Sequence, residues 1–147
     1  MLNFTRPTST ASDTDLVWPF QERQLVSELL RSPGAPIPLG QLMSDFPTVT
    51  DITPVGFLDD EPVFACAIET VNLDVMKYTS GNLFALIGRI AGEQFDVIGR
   101  AYQLLCWERD HRHCGRCGGK TALADKGQSR ACEACGLSVY PRLSPCV

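Results

Sequence analysis

Several things are missing from this sequence, and each absence narrows its role. No run of roughly eighteen apolar residues occurs, so no membrane-spanning helix is expected. The first twenty residues hold one cation, Arg6, and no continuous apolar stretch, which argues against an export signal and for a cytoplasmic home. Residues 45–74 contain no Lys or Arg at all, and the formal net charge is −4, so the chain as a whole carries no nucleic-acid footprint. Internal repeats and low-complexity tracts are also absent. At 147 residues, 44% hydrophobic and 20% charged, the chain suits one ordinary domain or a small domain plus a stapled module.

Cysteine, by contrast, is plentiful, with seven residues. Four of them form two Cys-x-x-Cys pairs, Cys114/Cys117 and Cys132/Cys135, flanking residues 118–131. Thiolates at this spacing face one ion from a single tight turn, and two such turns close a tetrahedron with Zn–S distances of about 2.3 Å. Gly118 and Gly136 follow the second cysteine of each pair, where a knuckle turns sharply and directs backbone N–H groups toward sulfur. The spacing therefore predicts a four-cysteine zinc ribbon. Rubredoxin-like iron would use the same knuckles. Two disulfides would suit an exported mini-protein, and a thioredoxin-like redox pair needs one Cys-x-x-Cys beside a βαβ pattern, which is not seen here. With all four positions filled by sulfur, the metal has no open site and should be structural. Cys66, Cys106 and Cys146 lie in apolar contexts and read as small buried hydrophobes.

Along the chain, residues 1–15 read as a frayed terminus. Pro19 speaks against regular structure in Leu16–Phe20. Leu25, Val26, Leu29 and Leu30 repeat at helical spacing, predicting a helix from Gln21 to Arg31 stopped by Ser32-Pro33-Gly34. Ala35 to Met43, with Pro36 and Pro38, reads as an edge strand. Val55–Leu58, the Asp59-Asp60 turn and Val63–Ile68 form a hairpin, which needs a sheet covered on one face by helices. Ser80 is placed to cap a helix over Gly81–Ile90. A second helix should run from Glu93 to about Asp110, with Phe95, Ile98, Ala101, Tyr102, Leu105 and Cys106 as its apolar stripe and Trp107 in the core. The fold class expected is α+β. Arg109, Arg112, Arg116 and Lys120 concentrate charge just before and within the first knuckle, most simply as a solvated helix end.

The run Cys106-Trp107-Glu108-Arg109-Asp110-His111-Arg112-His113-Cys114-Gly115-Arg116-Cys117-Gly118, then Cys132 and Cys135, then Tyr140-Pro141-Arg142-Leu143-Ser144-Pro145, resembles the NADH pyrophosphatase branch of the Nudix superfamily. The specific match covers residues 99–146; earlier residues fit the family's degenerate Nudix-like N-terminal domain loosely. The resemblance implies residues 1–110 as that domain, 111–141 as the zinc ribbon, and 142–147 as the first strand of a catalytic domain. It implies hydrolysis of the NADH or NAD⁺ diphosphate to a nicotinamide mononucleotide and AMP, with members also removing NAD caps from RNA. It further implies a homodimer, zinc on Cys114, Cys117, Cys132 and Cys135, and a nucleotide-site role for Tyr140. From physics alone, Tyr140 equally suits a strand aromatic packing on the ribbon.

Family chemistry rests on a Nudix box whose carboxylates hold Mg²⁺ or Mn²⁺ against the diphosphate. No Glu-Glu pair occurs in this sequence, and after Glu108 the acids are Asp110, Asp125 and Glu133. The chain is thus expected to be an N-terminal piece of a longer enzyme or a truncation, inactive alone. The competing expectation is an interaction module without hydrolase activity. In that case the ribbon would contact nucleic acid or protein through Arg112, Arg116, Lys120, Lys126, Arg130 and Tyr140.

Overall fold

The computed structural model describes residues 2–3, 5–69 and 72–142. Leu143, Ser144, Pro145 and Cys146, and with them the expected strand over 142–147, lie outside the described residues apart from Arg142. The architecture is α+β, as expected: a mixed sheet, one long helix and a small three-stranded sheet.

The hairpin forms where the apolar runs placed it. Its first strand starts earlier, at β5 (Val49–Leu58), and pairs antiparallel with β6 (Glu61–Ile68). Asp59 and Asp60 both adopt positive φ, 50° and 67°, the two left-handed residues that a tight hairpin turn requires. Around the hairpin the chain adds β1 (Leu2–Asn3), β2 (Leu16–Gln21), β3 (Gln24–Glu28), β4 (Ile37–Pro38) and β7 (Tyr78–Gly81). The strand order is β1-β5-β6-β2-β3-β7, with β4 also on β2. The β2–β6 pair is parallel; the other described pairs are antiparallel.

Several expectations are corrected here. Residues 1–15 are not frayed throughout, because β1 pairs with the end of β5 and Arg6 and Pro7 are buried. Leu16–Phe20 is a strand despite Pro19. On one side β2 pairs with β4 at Leu16 and Val17 and with β3 at Phe20 and Gln21, and Pro19 falls between these partners. Within the segment 21–31 the chain forms strand β3 (Gln24–Glu28) between turns, and not a helix. Leu25 packs on one face of the sheet and Val26 on the other, while Leu29 and Leu30 lie beyond the strand and are exposed, Leu30 to 95%. Four residues at helical spacing were therefore two sheet residues, buried on opposite faces, plus two loop residues.

The edge strand around Pro36 and Pro38 shrinks to Ile37–Pro38, and helix α1 (Leu39–Asp45) follows, burying Leu39 and Leu42. In place of a helix over 81–90, Ser80 lies in β7 opposite Val26. A single 3-10 turn, Leu83–Leu86, follows, with the Asn82 side chain accepting from the Ala85 N–H at 3.1 Å. Helix α2 (Gly92–Asp110) forms as expected, burying Ile98, Ala101, Leu105 and Trp107, and also Val97 and Leu104.

The sheet is covered on both faces and not on one. Helix α2 packs with Trp18, Phe20, Leu25, Val55, Val63 and Ala65; α1, Phe46 and Tyr78 pack with Val17, Val26, Phe64, Cys66 and Ile68. No described helix is long and apolar enough to cross a membrane.

Burial pushes the Cys66 thiol from its ordinary 9.0 up to about 12. The native state thus keeps a proton that the unfolded chain gives up near pH 9. That contribution to stability is complete below pH 9 and is lost as pH rises toward 12. Cys66 should resist thiol reagents at pH 8 until the chain is unfolded, and Cys66→Ala should flatten the alkaline loss of stability. Mass spectrometry of labelled chains and unfolding curves between pH 8 and 11 check both outcomes.

Candidate metal centre

Beyond α2 the chain forms β8 (Thr121–Ala124), β9 (Ser129–Cys132) and β10 (Ser138–Val139), ordered β10-β9-β8. Neither apolar cluster, among the described residues, includes a residue later than Leu105. This module is therefore not held by a core of its own.

The two knuckles are built alike. The Gly118 N–H donates to the Cys114 carbonyl at 2.9 Å and the Gly136 N–H to the Cys132 carbonyl at 3.1 Å. Both glycines sit at positive φ, 75° and 77°, a conformation that costs any other residue strain. The Cys114 N–H returns to the Gly119 carbonyl at 2.7 Å, and the Cys132 N–H to the Leu137 carbonyl at 2.9 Å. Backbone N–H groups then point at sulfur: Arg116 to Cys114 at 3.3 Å, Gly119 to Cys117 at 3.4 Å and Cys135 to Cys132 at 3.4 Å.

This brings all four sulfurs within 4.8 Å of one another. Across the knuckles, Cys114 and Cys135 are 3.6 Å apart and Cys117 and Cys132 are 3.4 Å apart. A tetrahedron with Zn–S bonds of about 2.3 Å has edges of about 3.8 Å, so the donor set fits a single tetrahedral ion. Cys114 and Cys132 are buried, while Cys117 and Cys135 face solvent.

The charge pattern agrees. The Cys135 N–H, with that of Ala134, draws the Cys132 thiol down to about 6, and N–H groups of Cys117 and Arg116 lower Cys114. The Gly119 N–H also draws Cys117 down, but the Cys132 and Cys135 sulfurs outweigh it and hold Cys117 at about 11. Backbone N–H groups thus favour the thiolate at Cys132 and Cys114, while the neighbouring sulfurs oppose it at Cys117. Only a cation lets all four ionise together.

The sequence reading missed how the ribbon is attached. The Glu108 carboxylate, near the end of α2, accepts from two guanidiniums: Arg6 Nη2 at 2.7 Å on one oxygen and Arg130 Nη1 at 2.6 Å on the other. Their side chains are 12%, 1% and 14% exposed, respectively. Arg6 also donates Nε to the Pro54 carbonyl at 3.0 Å and Nη1 to the Gly127 carbonyl, and it lies 5.6 Å from the Trp107 ring centre. Arg130 reaches the Thr121 hydroxyl and carbonyl at 2.9 and 3.1 Å. On the other side Arg112 pairs with Asp51, which sits at φ 57° in an irregularity of β5 between Thr50 and Thr53. Of the expected basic stretch, Arg109 pairs with Asp110, while Arg116 and Lys120 are exposed.

Tyr140 projects from just past β10, 56% exposed, and its hydroxyl donates to Asp125 Oδ2 at 3.2 Å. Its ring borders a cavity of about 430 Å³ shared with Tyr102, Trp107, His111 and Arg142.

Two hairpin knuckles presenting four thiols beside a three-stranded sheet define a zinc-ribbon module. Residues 109–140 match the family model of the NADH pyrophosphatase zinc ribbon domain. The ribbon is that of the NADH pyrophosphatase branch of the Nudix superfamily, as its motifs implied, and the relatives matched over more of the chain support the same branch. It is 37% identical over 92 residues to an NAD-capped RNA hydrolase of Pseudomonas aeruginosa (strain LESB58), covering 62% of this chain and 32% of that protein. Against the NAD-capped RNA hydrolase of Pseudomonas syringae pv. tomato it is 34% identical over 119 residues, 80% of this chain and 42% of the relative. With that of Deinococcus radiodurans the figures are 30% over 120 residues, 82% and 41%. The chain thus spans roughly a third to two fifths of the length of these curated relatives.

Gly119 is the other residue that sequence reasoning passed over. A Cβ there would lie 3.1 Å from Ala134 Cβ and 3.3 and 3.4 Å from the sulfurs of Cys117 and Cys132. None of these can yield without moving the tetrad, so Gly119→Ala should destabilise the ribbon by roughly 1–3 kcal/mol, the usual cost of overpacking. Faster amide exchange in β8 and β9 with unchanged exchange in β5 and β6 is the expected readout.

Proposed function

We propose that this chain is the non-catalytic N-terminal and zinc-ribbon portion of an NAD(H) diphosphatase, an enzyme that cleaves the diphosphate of NADH, NAD⁺ or NAD-capped RNA. In this reading residues 1–110 form a degenerate Nudix-like domain, 111–141 the ribbon, and 142–147 lead into a catalytic domain. The observation that carries the reading is the four-cysteine tetrad within a segment matched, from 109 to 140, by this family's ribbon. The named activity of the relatives supports the substrate class.

Cys114, Cys117, Cys132 and Cys135 hold a structural zinc ion, which supplies folding free energy to a module without an apolar core of its own. Free cysteines throughout the described residues support a reducing, cytoplasmic setting. Mg²⁺ or Mn²⁺ belongs to the catalytic domain, since this sequence has no paired glutamates to hold such ions. The portion positions substrate and supports a homodimer. Purified chain should contain one zinc per molecule by elemental analysis and release no AMP from NADH with added Mg²⁺ or Mn²⁺. Absence of metal, or turnover by this chain, would overturn the respective half of the reading.

Tyr140 contributes an aromatic face to the nucleotide site. Its exposure and its tether to Asp125 support this, since the ring is held in place without being spent in the core. In an enzyme carrying the catalytic domain, Tyr140→Ala should weaken NADH binding by about 1–3 kcal/mol, the range for a base stacked on an aromatic ring. Zinc content should not change. Michaelis constants and metal analysis of the two proteins decide between this role and packing on the ribbon.

A further inference from the structure

We propose that Arg6 is energetically part of the metal centre: the Arg6–Glu108–Arg130 relay couples metal binding in the ribbon to docking of the N-terminal segment on the sheet. The inference rests on the reading of the four cysteines as a zinc site and adds a residue that no ribbon motif contains.

One guanidinium touches three separate parts of the molecule. Arg6 Nε meets the Pro54 carbonyl of β5, Nη2 meets Glu108 of α2, and Nη1 meets the Gly127 carbonyl in the turn between β8 and β9. Glu108 passes the contact on to Arg130, which stands on β9 two positions before Cys132. The ribbon contributes Gly127 and Arg130 in their observed places only while it is folded, and among the described residues it has no apolar cluster to keep it folded without an ion. When the ribbon opens, Arg6 loses one of three acceptors and Glu108 one of two cations. A buried charge left short of partners is costly, so the segment that carries Arg6 loosens, and β1 with it. The pairs Leu2↔Leu58 and Asn3↔Phe57 are the ladder contacts that depend on this anchor.

Coupling of this kind is reciprocal. If metal tightens the N-terminal segment, the docked segment must tighten metal by the same factor. Arg6→Lys tests both directions, because an ammonium keeps the charge but not the fork that spans three acceptors. Zinc(II) affinity of the full chain, measured by competition with a chromophoric chelator, should fall about tenfold in Arg6→Lys, a typical coupling between sites. In the unsubstituted chain, stripping zinc should speed exchange of the backbone amides that bond β1 to β5 about tenfold and leave the β3–β7 pair unchanged. In Arg6→Lys those amides should exchange fast even with zinc bound.

Zinc affinity within twofold of the original, or N-terminal exchange indifferent to zinc, overturns the coupling. Should Arg6→Lys also speed exchange in β3–β7, and so disturb the sheet itself, Glu108→Gln replaces it. That change keeps the shape and removes the charge, and the same tenfold loss is expected; unchanged affinity overturns the proposal. A chain that binds no zinc(II) at all sinks the metal reading and the coupling together. Zinc binding that ignores Arg6 sinks the coupling alone.

Discussion

A carboxylate shared between two arginines, largely out of water, is the interaction on which the arrangement of this molecule turns. Moving three charged groups out of solvent is expensive, and the cost is recovered only where geometry satisfies each of them. Here Glu108 gives one oxygen to Arg6 and one to Arg130, and each arginine spends further N–H groups on backbone carbonyls of a different sheet. Such a cluster adds little net stability compared with an apolar core. Removal of the shared carboxylate is a different matter, costing about 3–5 kcal/mol because both arginines then stay buried without it. It therefore acts as a specificity device, admitting one placement of the ribbon and penalising the rest.

The second tie follows the same logic with strain added. Asp51 adopts a left-handed conformation that costs a non-glycine residue about 1–2 kcal/mol, within a strand whose register shifts again between Pro54 and Gly56. Bulges re-aim side chains, and this one turns a carboxylate toward Arg112, two residues before the first knuckle cysteine. The exposed pair alone recovers little. It ties the chain leaving α2 to β5, separately from the contact between Glu108 and Arg130.

What could be read from the sequence was what is local. The cysteine spacing, the glycines after each knuckle, the acidic turn at Asp59-Asp60 and the long stripe of α2 each write their geometry within a few residues, and each is present in the structure. Strand β3 was illegible because its two apolar residues serve opposite faces of a sheet buried on both sides, which erases the alternation that marks a strand. Ser80 looked like a helix cap because its hydroxyl chemistry suits one, but tertiary pairing with Val26 claimed its backbone first. Arg6 carried no signal at all. A lone cation in a polar terminus looks solvated unless its partners, 48 to 121 residues away, are known.

That blind spot has a physical cause which also accounts for the architecture. A zinc ribbon is too small to bury an apolar core, so its internal order comes from metal and backbone hydrogen bonds, both legible at short range. Its orientation cannot come from the same source, because four sulfurs around an ion say nothing about what lies outside the tetrahedron. Orientation must be supplied by contacts with side chains elsewhere, and the ion pairs that make them here are polar. Three arginines and two carboxylates do this here, drawn from β5, α2, the N-terminal segment and the ribbon itself. Tyr140 is tied into the same arrangement, since Glu108 holds Arg130 of β9, Arg6 holds the β8–β9 turn at Gly127, and Asp125 of that turn accepts from the tyrosine hydroxyl.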